Sequence, residues 1–181
     1  MLGIFGQSRK FSQQLDSKWK SLYRLAFSWC HDPDLANDIV QDTLTKAYRK
    51  RSQLKDIKTL DAWLYKILAN TWRDQFRSQK PTVSIDDVTL VTNFGPGEEY
   101  DRARVVNSVR HAIEKLSQEQ RLIITLVDLE GLSYGEVAEI LSIPIGTVMS
   151  RLCRARNNLK QYLKEFNIET STKNSTIRRI K

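Results

Sequence analysis

Apolar residues recur along this chain at the spacing of a helix rather than the alternation of a strand. Leu15, Trp19, Leu22 and Ala26 follow one another at i, i+4, i+7 and i+11, and Tyr23, Phe27 and Cys30 widen the stripe. That is the pattern of a core-facing helix. Asp32-Pro33 starts a second helix, with Asp as N-cap and Pro at the first helical position. Its inner face is Ala36, Ile39, Val40, Thr43 and Ala47. A third helix is predicted from about Leu60 to Ser78, with Leu60, Leu64, Ile67, Leu68 and Thr71 inward. Val105, Val106, Val109, Ala112, Ile113 and Leu116 form the face of a fourth.

The punctuation after Leu116 is dense. Ser117-Gln118-Glu119-Gln120 reads as a capping box, and the helix it opens carries Leu122, Ile123, Leu126 and Val127 before stopping at Gly131. Ser133-Tyr134-Gly135-Glu136 is a second capping box, opening a short helix with Val137, Ala138, Ile140 and Leu141. Ser142-Ile143-Pro144-Ile145-Gly146 is a turn, and Val148, Leu152, Ala155, Leu159 and Leu163 face inward on the last helix. Short helix, tight turn and longer helix outline a helix-turn-helix. The fold class is therefore all-α. Two small helical domains are joined by a flexible linker, and the C-terminal one is a helix-turn-helix.

Between the two halves the pattern lapses. Pro81, Asp86-Asp87 and then Asn93-Phe94-Gly95-Pro96-Gly97-Glu98-Glu99 break both helix and strand. The expected organisation is a first domain over 12–80, a linker over 81–104, a second domain over 105–166 and a disordered basic tail over 167–181. Charge follows the same divisions: net +7 over residues 1–82, −3 over 83–107, +1 over 108–166 and +3 over 167–181, within a total of +8. A positive balance favours polyanions, nucleic acid first.

The 181 residues include 40% hydrophobic side chains but no apolar run long enough to span a membrane. The apolar patch in MLGIFGQSRKFSQQ is too short for a signal-peptide core, so a cytoplasmic location is expected. Cys30 and Cys153 are the only cysteines and neither lies in a CxxC pair, which excludes a disulfide framework and a thiolate zinc cluster. Two histidines, no P-loop, no HExxH and no carboxylates placed for two metals argue against an enzyme. No catalytic residue, no metal and no cofactor is expected.

Three surfaces carry candidate chemistry. On the second helix, Asp34, Asp38, Gln41 and Thr45 share a stripe with Asp42 alongside. Such a stripe on a basic domain is either ordinary solvation or a docking face for a basic partner protein. On the third helix, Lys66, Asn70, Arg73 and Arg77 lie within about 60° of arc, a ridge able to track phosphates. Trp63, Tyr65, Trp72 and Phe76 ride on the same helix. They either stack on unpaired bases or pack between helices. On the last helix, with Thr147 at the origin, Ser150, Arg151, Arg154, Asn157 and Asn158 fall between about 280° and 40° while the apolar residues cluster near 100°. Hydroxyls, guanidiniums and amides on one face suit the major groove, where Arg reads guanine and Asn reads adenine. No Glu or Lys intervenes from Gly146 to Asn158.

Two stretches carry a family resemblance. Asp38-Ile-Val-Gln41-Asp42 with Ala62-Trp63-Leu64-Tyr65-Lys66-Ile67-Leu68-Ala69-Asn70 resembles the N-terminal domain of bacterial sigma factors. Leu116-Ser-Gln-Glu-Gln-Arg121, Leu132-Ser-Tyr-Gly-Glu-Val-Ala-Glu-Ile-Leu141 and Ile145-Gly-Thr-Val-Met-Ser-Arg-Leu-Cys-Arg-Ala-Arg156 resemble their C-terminal domain. Both in this order, in so small a chain, are similar to the extracytoplasmic-function (ECF) group of the sigma-70 family. The resemblance covers roughly residues 15–80 and 105–163.

It implies a transcription initiation factor that binds core RNA polymerase and directs it to promoters. The −10 element would be recognised as melted single strand and the −35 element as duplex. It implies polymerase contacts at Asp38, Gln41 and Asp42, and a contact of Asn70 with a flipped −10 base, with Ser78 to Thr82 on the specificity loop; the ridge residues Lys66, Arg73 and Arg77, with Lys80, complete the expected −10 contacts. It implies −35 contacts at Thr147, Ser150, Arg151 and Arg154. It further implies core RNA polymerase, promoter DNA and an anti-sigma factor, often membrane-bound, as partners. Met149 departs from the pattern, standing where many members carry a basic residue.

Overall fold

The computed structural model describes residues 2–78, 106 and 108–165, giving only the backbone at 2–9, 78 and 165. All regular structure among the described residues is helical. It comprises α1 (Leu2–Cys30), α2 (Pro33–Arg49), α3 (Leu60–Ser78), α4 (108–114), α5 (Gln118–Ile124), α6 (Tyr134–Leu141) and α7 (Ile145–Glu165). Two short 3₁₀ turns lead from α2 to α3, and a π turn, Thr125–Leu129, extends α5. The expected linker over 81–104 and tail over 167–181 lie outside the described residues.

Local chemistry accounts for most helix ends. Asp32 Oδ1 accepts from the backbone N–H groups of Asp34 (2.9 Å) and Leu35 (3.1 Å), so α2 begins where an Asp-Pro start predicts. Both capping boxes form, Ser117 with Gln120 and Ser133 with Glu136. The Ser133 hydroxyl and backbone N–H both donate to Glu136 and hold its carboxyl below the usual range. Gly131 takes φ +70° after the π turn, a left-handed conformation that glycine adopts without steric cost. Ser142 closes α6 at φ 54° while Ile143 N–H bonds back to Ala138 O at 3.0 Å, and Pro144 O receives the Thr147 and Val148 N–H groups that open α7. Helix, turn and helix follow in the expected order, but the turn is only Ser142 to Pro144, because Ile145 and Gly146 already belong to α7.

All five inner residues predicted for α2 are buried, as are Val148, Leu152 and Ala155 of α7. Leu159 packs half-buried beside them. Ala112 on α4 and Leu116 just after it are buried, whereas Val106 is exposed, and Val105 lies outside the described residues. On α1 the stripe is rotated from its expected position. Leu15, Leu22, Leu25, Ala26 and Trp29 are buried, whereas Trp19 is 37% exposed. Those buried residues centre about 65° of arc away from Trp19, leaving it on the flank. There it stacks on Tyr23 at 5.0 Å, and Tyr23 stacks on Phe27 at 6.1 Å.

The two halves share one core. α1 packs on α2 and α5, and α3 packs on α2 and α6. Leu122 to Leu126 are buried without interruption, because α5 and its π turn have protein on every side. Trp29 is fully buried and its indole Nε1 donates to Thr125 Oγ1 at 2.7 Å. Arg121 donates to three carbonyls: Trp29 O (2.6 Å), Glu114 O (2.5 Å) and Leu116 O (3.1 Å). The first of these satisfies an end carbonyl of α1 that no helix turn can reach. Tyr65 OH donates to Glu130 Oε2 at 2.7 Å. Burial, with the Glu130 carboxylate adding to it against a hydrogen bond to Ser21, pushes this phenol up to about 12, so it remains a donor.

His31 ends α1 at φ 56° and sits against the second half, its Nδ1 3.8 Å from Glu114 Oε1. Burial pushes its imidazole below the ordinary value. Arg121, Arg110 and His111 push the same way and Glu114 opposes them. The thiol of Cys30 is pushed up, chiefly by burial.

Two outcomes follow for the seam. Thr125→Val leaves the Trp29 indole N–H buried without an acceptor and costs about 1–3 kcal/mol. Thr125→Ser, which keeps the acceptor, costs less, and urea unfolding ranks the two. Because the folded His31 pKa is depressed, the fold favours its neutral form. The unfolded chain takes up the proton first, so stability is present above an ordinary value of about 6.5 and is lost as pH falls. Thermal melts at about pH 7 and pH 5.5 should show a smaller acid loss in His31→Asn than in the wild type, Asn being tolerant of positive φ.

Candidate nucleic-acid and protein interfaces

Three helix faces point away from this core. On α2, Asp34, Asp38, Gln41, Asp42 and Thr45 are all exposed. Asp34, Asp38 and Asp42 stand at i, i+4 and i+8, where like charges disfavour a helix by about 0.2–0.5 kcal/mol per pair. The nearby cation that could relieve Asp42 is Lys46, one turn on. Its Nζ instead donates to Thr71 Oγ1 on α3 at 3.1 Å. Asp38 and Asp42 therefore make no ion pair among the described residues. The stripe is a concentrated negative face that its own domain does not neutralise.

The α3 ridge divides. Lys66, Asn70 and Arg77 are exposed, and Lys80 lies outside the described residues. Arg73 is drawn inward and bonds Glu119, Nε to Oε1 at 3.2 Å and Nη2 to Oε2 at 3.3 Å. The aromatics divide too. Tyr65 and Trp72 are buried and Trp63 is half-buried, so inter-helix packing accounts for them. Phe76 is 51% exposed, its ring 5.8 Å from that of Trp72, and it presents a free face beside Arg77.

On α7, Ser150, Arg154 and Asn157 are exposed and Thr147 is half-buried. The Ser150 hydroxyl donates to Thr147 O at 3.1 Å, one turn back. Met149, one position before Ser150, is 53% exposed and apolar. Asn158 donates to Gln120 Oε1 at 3.4 Å, and Arg156 is tied to Asp128 (Nε to Oδ2, 3.2 Å), so both support the scaffold. Arg151, like Arg73, turns to Glu119, its Nη1 2.5 Å from Oε2.

Glu119 thus joins two residues from different predicted surfaces. Sequence alone shows it as an acid in the first turn of α5, where the helix dipole already favours one. Nothing in its spacing points to Arg73 or Arg151. No group of three or more His, Cys, Asp or Glu among the described residues could hold a metal ion. No helix among them is long and apolar enough to cross a membrane.

Comparison with known proteins agrees with this geometry. Residues 20–82 match the family model "Sigma-70 region 2", and residues 107–159 match "Sigma-70, region 4". The ECF RNA polymerase sigma factor EcfG of Rhodopseudomonas palustris is 31% identical over 160 residues, covering 88% of each chain. SigM of Mycobacterium tuberculosis is 30% identical across 91% of this chain and 82% of its own. SigE of Mycolicibacterium smegmatis is 30% identical too, but the chain spans only 60% of its length. Among solved structures, the sigma factor RpoE of Bartonella quintana, in complex with the anti-sigma factor NepR, superposes with a TM-score of 0.67 at 32% identity. The match covers 86% of this chain and 98% of that one. CnrH, in complex with the cytosolic domain of CnrY, gives 0.60 at 26% identity, covering 87% and 89%. With both regions present in order and the identity spread over nearly the whole of either chain, the chain belongs to the ECF group of RNA polymerase sigma factors in the sigma-70 family.

Proposed function

We propose that this protein is a transcription initiation factor that binds core RNA polymerase through α2 and reads promoter DNA through α3 and α7. Asp38, Gln41 and Asp42 form the polymerase contact. Lys66, Asn70, Arg73 and Arg77, with Lys80 beyond α3, follow the −10 strand in its melted form. Thr147, Ser150, Arg151 and Arg154 enter the −35 duplex. The observation that carries this reading is the α7 face: Ser150, Arg154 and Asn157 stand exposed opposite buried Val148, Leu152 and Ala155, on the second helix of a helix-turn-helix.

The chemistry of each face suits its partner. The acidic α2 stripe complements a basic protein surface and would repel DNA, so polymerase and promoter do not compete for it. Arg154 is free for a guanine edge or a phosphate. Exposed Phe76 beside Arg77 offers a stacking surface to an unpaired base, which offsets a cost of a few kcal/mol for unstacking it. The polymerase supplies the catalysis, and the protein acts in the cytoplasm. Because RpoE and CnrH were solved with anti-sigma proteins, an anti-sigma factor is the expected regulator here as well.

A run-off transcription assay tests this, with bacterial core polymerase, the protein and DNA from upstream of its own gene. Initiation at one start site is expected. The double variant Gln41→Ala/Asp42→Lys should lose both initiation and co-elution with core. Arg151→Ala/Arg154→Ala should keep co-elution but lose promoter-directed initiation, each base contact being worth about 1–3 kcal/mol. Absence of core binding by the wild-type protein would overturn the assignment and leave a plain DNA-binding regulator as the better account.

A further inference from the structure

The exposed side of α7 is divided lengthwise. With Thr147 at the origin, buried Val148, Leu152 and Ala155 lie between about 80° and 140°. Ser150, Arg154 and Asn157 are exposed between about 280° and 340°. Between these arcs, from about 160° to 240°, stand Ile145, Met149 and Cys153, one turn apart and all exposed. One edge of the helix therefore offers hydroxyl, guanidinium and amide, and the other offers carbon and sulfur. Arg156 follows on the apolar edge, but Asp128 holds its guanidinium.

The fold itself makes no use of this edge. Ile145 is 52% exposed and Met149 53%, and neither is among the side chains packed on the core. Met149 nonetheless lies in the first two turns of α7, on the second helix of the helix-turn-helix, where side chains reach base edges. Gly146, about one turn before it, leaves the surface low. A Cβ there would meet nothing within 4 Å and its backbone is helical, so nothing inside the chain calls for glycine. Glycine in a helix destabilises it relative to alanine. What Gly146 leaves is room for a base pair to come up against the side chain at 149, since helical side chains lean toward the N-terminal end.

In the major groove the apolar group on a base edge is the C5-methyl of thymine. Guanine, adenine and cytosine present donors and acceptors there, which suit the polar edge of α7. To those bases a methionine offers at most a weak sulfur acceptor. Its flexible, polarisable chain packs readily around a methyl group. We infer that Met149 reads a thymine methyl in the −35 duplex, flanked by Ile145 and Cys153. The preferred element then carries a thymine beside the base pairs that Ser150 and Arg154 contact. The inference rests on the −35 role proposed above for α7. It adds a base that the hydrogen-bonding residues alone would leave unspecified.

The test uses the holoenzyme formed from bacterial core polymerase and the full chain. Duplexes randomised over the −35 window of the run-off promoter are first selected on it. The best duplex is then synthesised with each selected thymine replaced singly by deoxyuridine, which removes only the methyl. At one position deoxyuridine should weaken competition against a fluorescein-labelled parent duplex by roughly three- to five-fold, the value of one methyl taken out of water. Met149→Gln, polar and of similar length, should bind the two duplexes equally, and Met149→Leu should keep the preference. Arg154→Ala should bind both more weakly and keep their ratio. If no thymine is selected, or if Met149→Gln keeps the wild-type ratio, the inference is overturned. Loss of the ratio in Arg154→Ala also overturns it, since discrimination then follows docking rather than Met149. So does loss of co-elution with core in Met149→Gln, which would make the apolar edge a protein contact. A holoenzyme that initiates but selects no −35 sequence at all would remove the −35 role of α7 itself, and the inference with it.

Discussion

The hydrogen bond from Trp29 Nε1 to Thr125 Oγ1 lies wholly out of water, and the relation between the two halves depends on it. Trp29 is near the end of α1 and Thr125 opens the π turn after α5, so this bond joins the first helix of one half to the α5 segment of the other. An indole N–H buried without an acceptor costs more than the bond itself contributes. The contact is therefore strongly specific: if the halves slide, the donor is stranded. Arg121 reinforces it by gathering three carbonyl ends that would otherwise lie unpaired, one of them the carbonyl of Trp29. The π turn places Thr125 within reach. There the threonine hydroxyl bonds back to Arg121 O at 2.7 Å while its lone pair receives the indole.

Around this apolar seam the charges are arranged for partners rather than for the free molecule. Lys46 leaves the acidic stripe of α2 and reaches Thr71, so the stripe stays negative. Arg156 is tied to Asp128, whose hydrogen bond raises its pKa, whereas Arg154, two residues back on a different face, is exposed. Surface ion pairs contribute little to stability, a median near zero to 1 kcal/mol. Their positions can therefore be chosen by binding at small cost to the fold. Glu119 is the exception in kind. It holds Arg73 of α3 and Arg151 of α7 on one carboxylate, and so joins side chains from both halves.

Helix boundaries, the inner faces of α2 and α7, and the three polar faces were legible in the sequence. Each depends on residues within one turn of each other: Asp32 capping its own helix, Ser117 with Gln120, Ser133 with Glu136, or the angular sorting of Thr147 to Asn158 around one axis. Family motifs add roles to those faces without changing where they lie. The aromatics of α3 were not decided this way. Tyr65 and Trp72 are buried and Phe76 is exposed, although all three ride on the same helix.

What the sequence determined by itself was the set of helices, their order, and the angle at which each side chain leaves its axis. Periodicity carries that much because backbone geometry is local. Only the tertiary structure decided what stands at each angle. It turned Trp19 out to stack on Tyr23, surrounded Leu122 to Leu126 with protein, and brought Glu119 to Arg73 and Arg151. The Glu119 contacts join residues 32 and 46 positions apart, and no short-range pattern encodes them. They arise because burying Trp29 against α5 places two otherwise separate helix faces on the same carboxylate.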